Sequence, residues 1–148
     1  MSKHHRDRSW APAPSPLPDD AHVIDNHTHI ASVVPFSQAM SHEAMEKGQG
    51  EVPVYSVDEL LEQAQKVGVE GVIDCGCELP NLMTAIDMAR EHPGTVHAAI
   101  AIHPNEAVLH GHRGAPGPDG LPIKYKPWHD IPFDDAMAEV HRLATAYP

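Results

Sequence analysis

The sequence predicts an α/β fold of parallel βα units, specifically the first three units of a (β/α)₈ barrel. Three observations carry that expectation. Short apolar runs of strand length alternate with stretches of helical periodicity, the pattern of a parallel sheet with crossover helices. The second and third runs are almost continuously apolar, as strands covered on both faces are. Histidines stand at the ends of the first and third runs, where parallel barrels build their sites.

The elements follow in order. Residues 1–20 contain Trp10-Ala-Pro-Ala-Pro-Ser-Pro-Leu-Pro18 and read as a disordered, Pro-rich tail. Ala21–Ile30, AHVIDNHTHI, is the first strand, with Val23, Asp25, His27 and His29 on one side. Residues 31–56, broken by Gly48, Gly50 and Pro53, read as a long loop with a helical turn around Ser41–Lys47. Ser56 and Glu59 form a capping-box pattern ahead of Leu60, Leu61, Ala64 and Val67, and Gly68 stops that helix. Val69–Cys77 is a buried strand. Leu79–His92 is a helix with Leu82, Ala85, Ile86 and Ala89 on its apolar face, ended by His92-Pro93-Gly94. Val96–Ile102 is the third strand. A Gly/Pro-rich loop over about 108–132 then leads to a helix at Phe133–Ala146, capped by Asp134.

Composition sets bounds. The chain has 148 residues and a formal charge of −11, from 10 Lys+Arg and 21 Asp+Glu. No apolar stretch has the roughly 18 residues of a membrane span. The acidic balance excludes a protein that coats nucleic acid through a broad basic face. Cys75 and Cys77 are too few for a disulfide framework and read as reduced thiols, and no signal-peptide pattern is present, so the expected location is cytoplasmic. Three parallel strands would leave two open edges, and a full barrel needs about 250 residues. The expectation is therefore a portion of a barrel, needing its missing C-terminal half or a partner chain.

The chemistry is concentrated at Asp25-Asn-His27-Thr-His29. Residues two apart in a strand share a face, so both imidazoles can meet one divalent ion. Asp25 lies one layer deeper, placed to orient an imidazole or touch the metal indirectly. His103, before Pro104, ends the third strand and is expected near substrate, hydrogen-bonded to a phosphate or leaving group. Cys75-Gly-Cys77 lacks the further partners a structural zinc site requires and is not counted among the ligands. His110-Gly-His112 is a second His-X-His pair, but it falls in the Gly-rich loop and reads as incidental.

The segments DNHTHI, GVEGVIDCGCELPNLMTAIDMAREHP and VHAAIAIHPNEA together resemble the TatD family of metal-dependent hydrolases, barrels of the wider amidohydrolase superfamily. The resemblance runs from about His22 to Ala107. It implies a deoxyribonuclease-type phosphodiesterase acting on DNA, commonly from a 3′ end, with one or two divalent ions such as Mg²⁺, Mn²⁺ or Zn²⁺. His27 and His29 match the family's first two metal ligands, and His103 matches its His-Pro strand end. The family's bridging Glu, later His ligands and catalytic Asp have no match here, so no catalytic residue is assigned. Residues 1–20 and 108–132 have no counterpart in the family core. Two alternatives stay open: an amidohydrolase-type enzyme acting on a small ester or amide, and a non-catalytic fragment that needs a partner.

Overall fold

The structure, a computed structural model, describes residues 18, 20–49, 53–118 and 120–148. The expected tail at 1–20 lies almost wholly outside them. Strands β1 (Val23–Thr28), β2 (Val69–Gly76) and β3 (Val96–Ile100) form one parallel sheet in the order β1-β2-β3. The strands alternate with helices, as the hydrophobic pattern predicts for consecutive βα units.

The first connection differs from expectation. Where residues 31–56 read as a loop, helix α1 spans Ile30–Glu46. Pro35 lies inside it, close enough to the N-terminus that the missing N–H removes a single backbone bond near the helix start. The helix buries only Ile30, Ser37 and Ala44, a thin stripe that periodicity registers weakly. Gly48 ends it in the left-handed region at φ 65°. Helix α2, Val57–Lys66, is built as the sequence predicts. The Ser56 hydroxyl accepts from the Glu59 N–H, and the Glu59 carboxylate accepts from the Ser56 N–H at 2.8 Å.

A 3₁₀ turn at Leu79–Asn81 leads into helix α3, Leu82–Glu91. Helix α4 is one short turn, Pro104–Ala107, and helix α5 covers Phe133–Ala146. The residue preceding α5 is Pro132, with no side-chain cap. Asp134 sits inside the first turn instead, beside Asp135, where its charge faces the positive end of the helix dipole.

Two apolar clusters hold the helices to the sheet. Leu82, Ile86, Ile102, Ala136 and Leu143 join α3 and α5, and Ile30, Leu61, Val72 and Val96 join α1 and α2 to the strands. Gly76 permits the close approach of α3. A Cβ there would lie 2.9 Å from the Asn81 carbonyl oxygen and 3.1 Å from the Leu82 Cα. The expected two-sided burial of β3 is not met. His97, Ala98 and Ala99 are exposed, because β3 pairs with β2 alone among the described residues. No helix among the described residues is long and apolar enough to cross a membrane.

Candidate metal centre

Strand β1 stops at Thr28, one residue short of His29. His27 is therefore a strand residue, while His29 turns out of the sheet at φ −127°, ψ 51° to precede α1. The simple alternation expected over Ala21–Ile30 is broken, and the β1–β2 register is irregular between Asp25 and Thr28. The two imidazoles nevertheless meet, with ring centres 5.2 Å apart and planes at 83°. Two imidazoles on one tetrahedral ion, with metal–nitrogen bonds of about 2.0–2.1 Å, place their ring centres roughly 5 Å apart. Both residues are exposed.

Hydrogen bonding fixes which nitrogen His29 presents. Its Nδ1 lies 2.9 Å from the Cys75 carbonyl oxygen, which can only accept. Nδ1 therefore carries the proton, and Nε2 keeps a free lone pair, the form in which a neutral imidazole binds metal. The Cys75 backbone thus orients the His29 ring. The Asp25 carboxylate instead accepts from the His27 backbone N–H at 3.1 Å, bracing the strand end and no imidazole ring.

A carboxylate absent from the residues expected at the site lies close by. Asp74, 2% exposed, interrupts the apolar run of β2 opposite Thr28. Its Oδ1 accepts from the Ala31 N–H at 3.4 Å, at the start of α1. Burial raises its pKa, opposed by the Ala31 and Ile30 amides and by nearby His29. The acid thereby meets the unsatisfied N–H groups of α1 that the His29 side chain leaves uncapped. A lone Asp inside VEGVIDCGC was the available signal.

His103 is locked in the opposite tautomer. Its Nδ1 accepts the Asn105 N–H at 3.1 Å as the N-cap of α4, so Nε2 bears the proton and can donate. Its backbone N–H donates to the Cys77 carbonyl at 2.8 Å. The end of β2 and the residue after it thus hold both histidines, His29 by its ring through the Cys75 carbonyl and His103 by its backbone through that of Cys77. One offers a lone pair and the other an N–H, the complementary needs of a cation and an anionic oxygen.

Cys77 Sγ lies 4.0 Å from His29 Nδ1. Burial foremost, and then Cys75, Glu78, Asp74 and Glu106, raise its thiol pKa. Both cysteines are free.

The segment between α4 and α5 is loop in backbone but not in packing. Leu109, His110 and His129 are 0–1% exposed. His129, in a 3₁₀ turn at Pro127–Asp130, accepts the Lys126 N–H on Nδ1 at 3.0 Å and donates from Nε2 to Glu106 at 2.5 Å. The Lys126 ammonium reaches Glu78 at 2.7 Å. His110 donates from Nδ1 to the Ile131 carbonyl at 2.8 Å. Its partner in the His-X-His pattern, exposed His112, donates to the His110 carbonyl. The two rings thus bond different backbone carbonyls. Glu106 and His129 meet across 23 residues, a pairing that no local spacing announces.

Among the described residues, no group of three or more His, Cys, Asp or Glu side chains gathers as a metal set. His27 and His29 fit a metal in ring spacing and, at His29, in tautomer, and they supply two donors toward it. The family model described as TatD related DNase matches residues 24–146. No curated protein and no solved structure matches the chain. The parallel βα units and the residues matched lead to one conclusion: the chain belongs to the TatD related DNase family.

Proposed function

We propose that this chain contributes to a divalent-metal-dependent phosphodiesterase that hydrolyses DNA from a strand end. Family membership supports the coarser statement, a metal-dependent hydrolase of nuclease type. The observation that carries the finer one is the pair of opposed tautomers at the end of β2. His27 and His29 would hold a divalent ion, Mg²⁺, Mn²⁺ or Zn²⁺, and His103 Nε2–H would donate to a phosphate oxygen or the leaving group. When bound, such an ion polarises a phosphoryl oxygen and lowers the pKa of a coordinated water. The carboxyl of Asp74 sets the start of α1 and so the backbone on which His29 turns. A charge of −11 disfavours long duplexes and suits engagement of a single terminus, with positive charge supplied locally by metal. A cytoplasmic setting, with both thiols reduced, belongs to the same proposal.

A second reading is favoured by the two-donor set itself. Because the described residues bring no third ligand to the pair, the centre would be completed by further barrel units or by a partner chain, and the chain alone would bind metal without turning over substrate. Incubation with a 3′-tailed DNA oligonucleotide and Mn²⁺, with and without chelator, separates the possibilities. Chelator-sensitive shortening from the 3′ end supports a working nuclease. Metal binding without turnover supports the incomplete centre. Hydrolysis of a small ester or amide, with DNA untouched, would replace the nuclease proposal with the amidohydrolase alternative.

A further inference from the structure

His103 is presented by a helix of four residues, α4, too short to hold itself in water. What holds it lies downstream. Glu106, on that single turn, accepts from His129 Nε2 at 2.5 Å and from the Trp128 indole N–H at 3.4 Å. His129 is fully buried, and its other nitrogen is occupied by the Lys126 N–H. With Nδ1 accepting, the ring has one neutral tautomer available, and that tautomer donates to Glu106. The same turn is tied to the sheet through the Lys126 ammonium and Glu78, the residue after Cys77. The Gly111 N–H closes the arrangement by donating to the His129 carbonyl at 2.8 Å.

We infer that Glu106 and His129 are positioning residues, a buried latch that fixes α4 and thereby holds His103 with its Nε2–H toward substrate. The inference rests on the proposed role of His103 as a donor to an anionic oxygen. The latch sets direction through a short chain of contacts. His129 fixes Glu106, the Glu106 N–H donates to the His103 carbonyl at 2.8 Å, and the Asn105 N–H beside it holds His103 Nδ1. Release of Glu106 frees α4 to fray, and the Nδ1 acceptor of His103 then loses its partner. His29 is held by the Cys75 carbonyl, and among the described residues no hydrogen bond joins it to Glu106 or His129, so it serves as an internal reference.

The test reads tautomers by long-range ¹H–¹⁵N correlation on ¹⁵N-histidine-labelled 148-residue chain, and it needs no turnover. In the unsubstituted chain His103 is expected as the single Nε2–H tautomer and His29 as Nδ1–H. In Glu106→Ala, His103 is expected to lose that single pattern while His29 keeps its own. Glu106→Gln, which retains an acceptor oxygen for His129, is expected to restore His103. An unchanged His103 in Glu106→Ala would overturn the inference, and so would equal changes at His103 and His29, which would mark a global effect. Should Glu106→Ala fail to fold, hydrogen exchange on the unsubstituted chain decides. Asn105 and Lys126 amides opening with the same denaturant dependence supports the latch, and independent opening refutes it. Failure of DNA hydrolysis would leave these readouts untouched, so the latch and the nuclease proposal fail separately.

Discussion

At the strand ends, His29 and His103 each commit Nδ1 to the backbone and leave Nε2 without a hydrogen-bond partner among the described residues, whereas His129, beneath the loop, commits both nitrogens to the protein. The first two are exposed and the third is fully buried. One residue type thus serves two purposes in one small chain. An imidazole with a spare nitrogen facing solvent is poised to bind something else. An imidazole with both nitrogens satisfied inside the protein joins segments of the chain. His110 stands between these cases: it is buried and bonded at Nδ1, yet its Nε2 has no hydrogen-bond partner among the described residues. Counting histidines cannot separate these roles; accounting for each nitrogen does.

The comparison makes graded predictions, the largest at the latch. His129→Ala is expected to cost about 3 kcal/mol, because it removes a fully buried ring and strips the largely shielded Glu106 of its principal partner. Urea unfolding measures it, and a cost no larger than that of a surface substitution would erase the distinction between the two regions. Gly76→Ala should follow at about 1–3 kcal/mol, since the new methyl meets the backbone of the Leu79–Asn81 turn and α3. His27→Ala and His29→Ala should each stay within about 0.5 kcal/mol of the unsubstituted chain in the same experiment, while strongly weakening metal binding. A large stability loss at either would mean that the pair is structural.

Acid should separate the regions by mechanism. Burial raises the Glu106 carboxyl, but hydrogen bonds from His129 and Trp128 and the Lys126 charge outweigh it, leaving its pKa below the ordinary value. A depressed carboxylate contributes stability that is present above its unfolded pKa, about 4.3, and is lost as pH falls through the lower folded value. Near-UV circular dichroism of Trp128 should report loosening of the latch in that window. Metal binding depends on pH in its own way, because a protonated ligand cannot coordinate, and a latch signal that followed the loss of metal step for step would merge the two regions into one.

Much of the frame was legible in the sequence because its signals are local. The Ser56–Glu59 box, the left-handed Gly68 at φ 93° and the apolar runs of β2 and β3 need only nearby residues to be read. The His27–His29 meeting was also legible, although the strand ends before His29 and the rings converge through a turn. Helix α1 was hidden because Pro35 and a narrow buried stripe weaken its period. Asp74 was masked by the apolar residues around it. The Glu106–His129 bond was out of reach for a different reason: its partners come together only once α5 and the 3₁₀ turn have packed.

The central claim is that His27 and His29 form one divalent-metal pair, and calorimetric titration of the chain with Zn²⁺ tests it most directly. Since other histidines can bind Zn²⁺ weakly, the comparison is with the double variant His27→Ala/His29→Ala. The tightest binding event is expected to disappear in the double variant, and each single substitution is expected to weaken it strongly. An isotherm unchanged by the double substitution would contradict the claim.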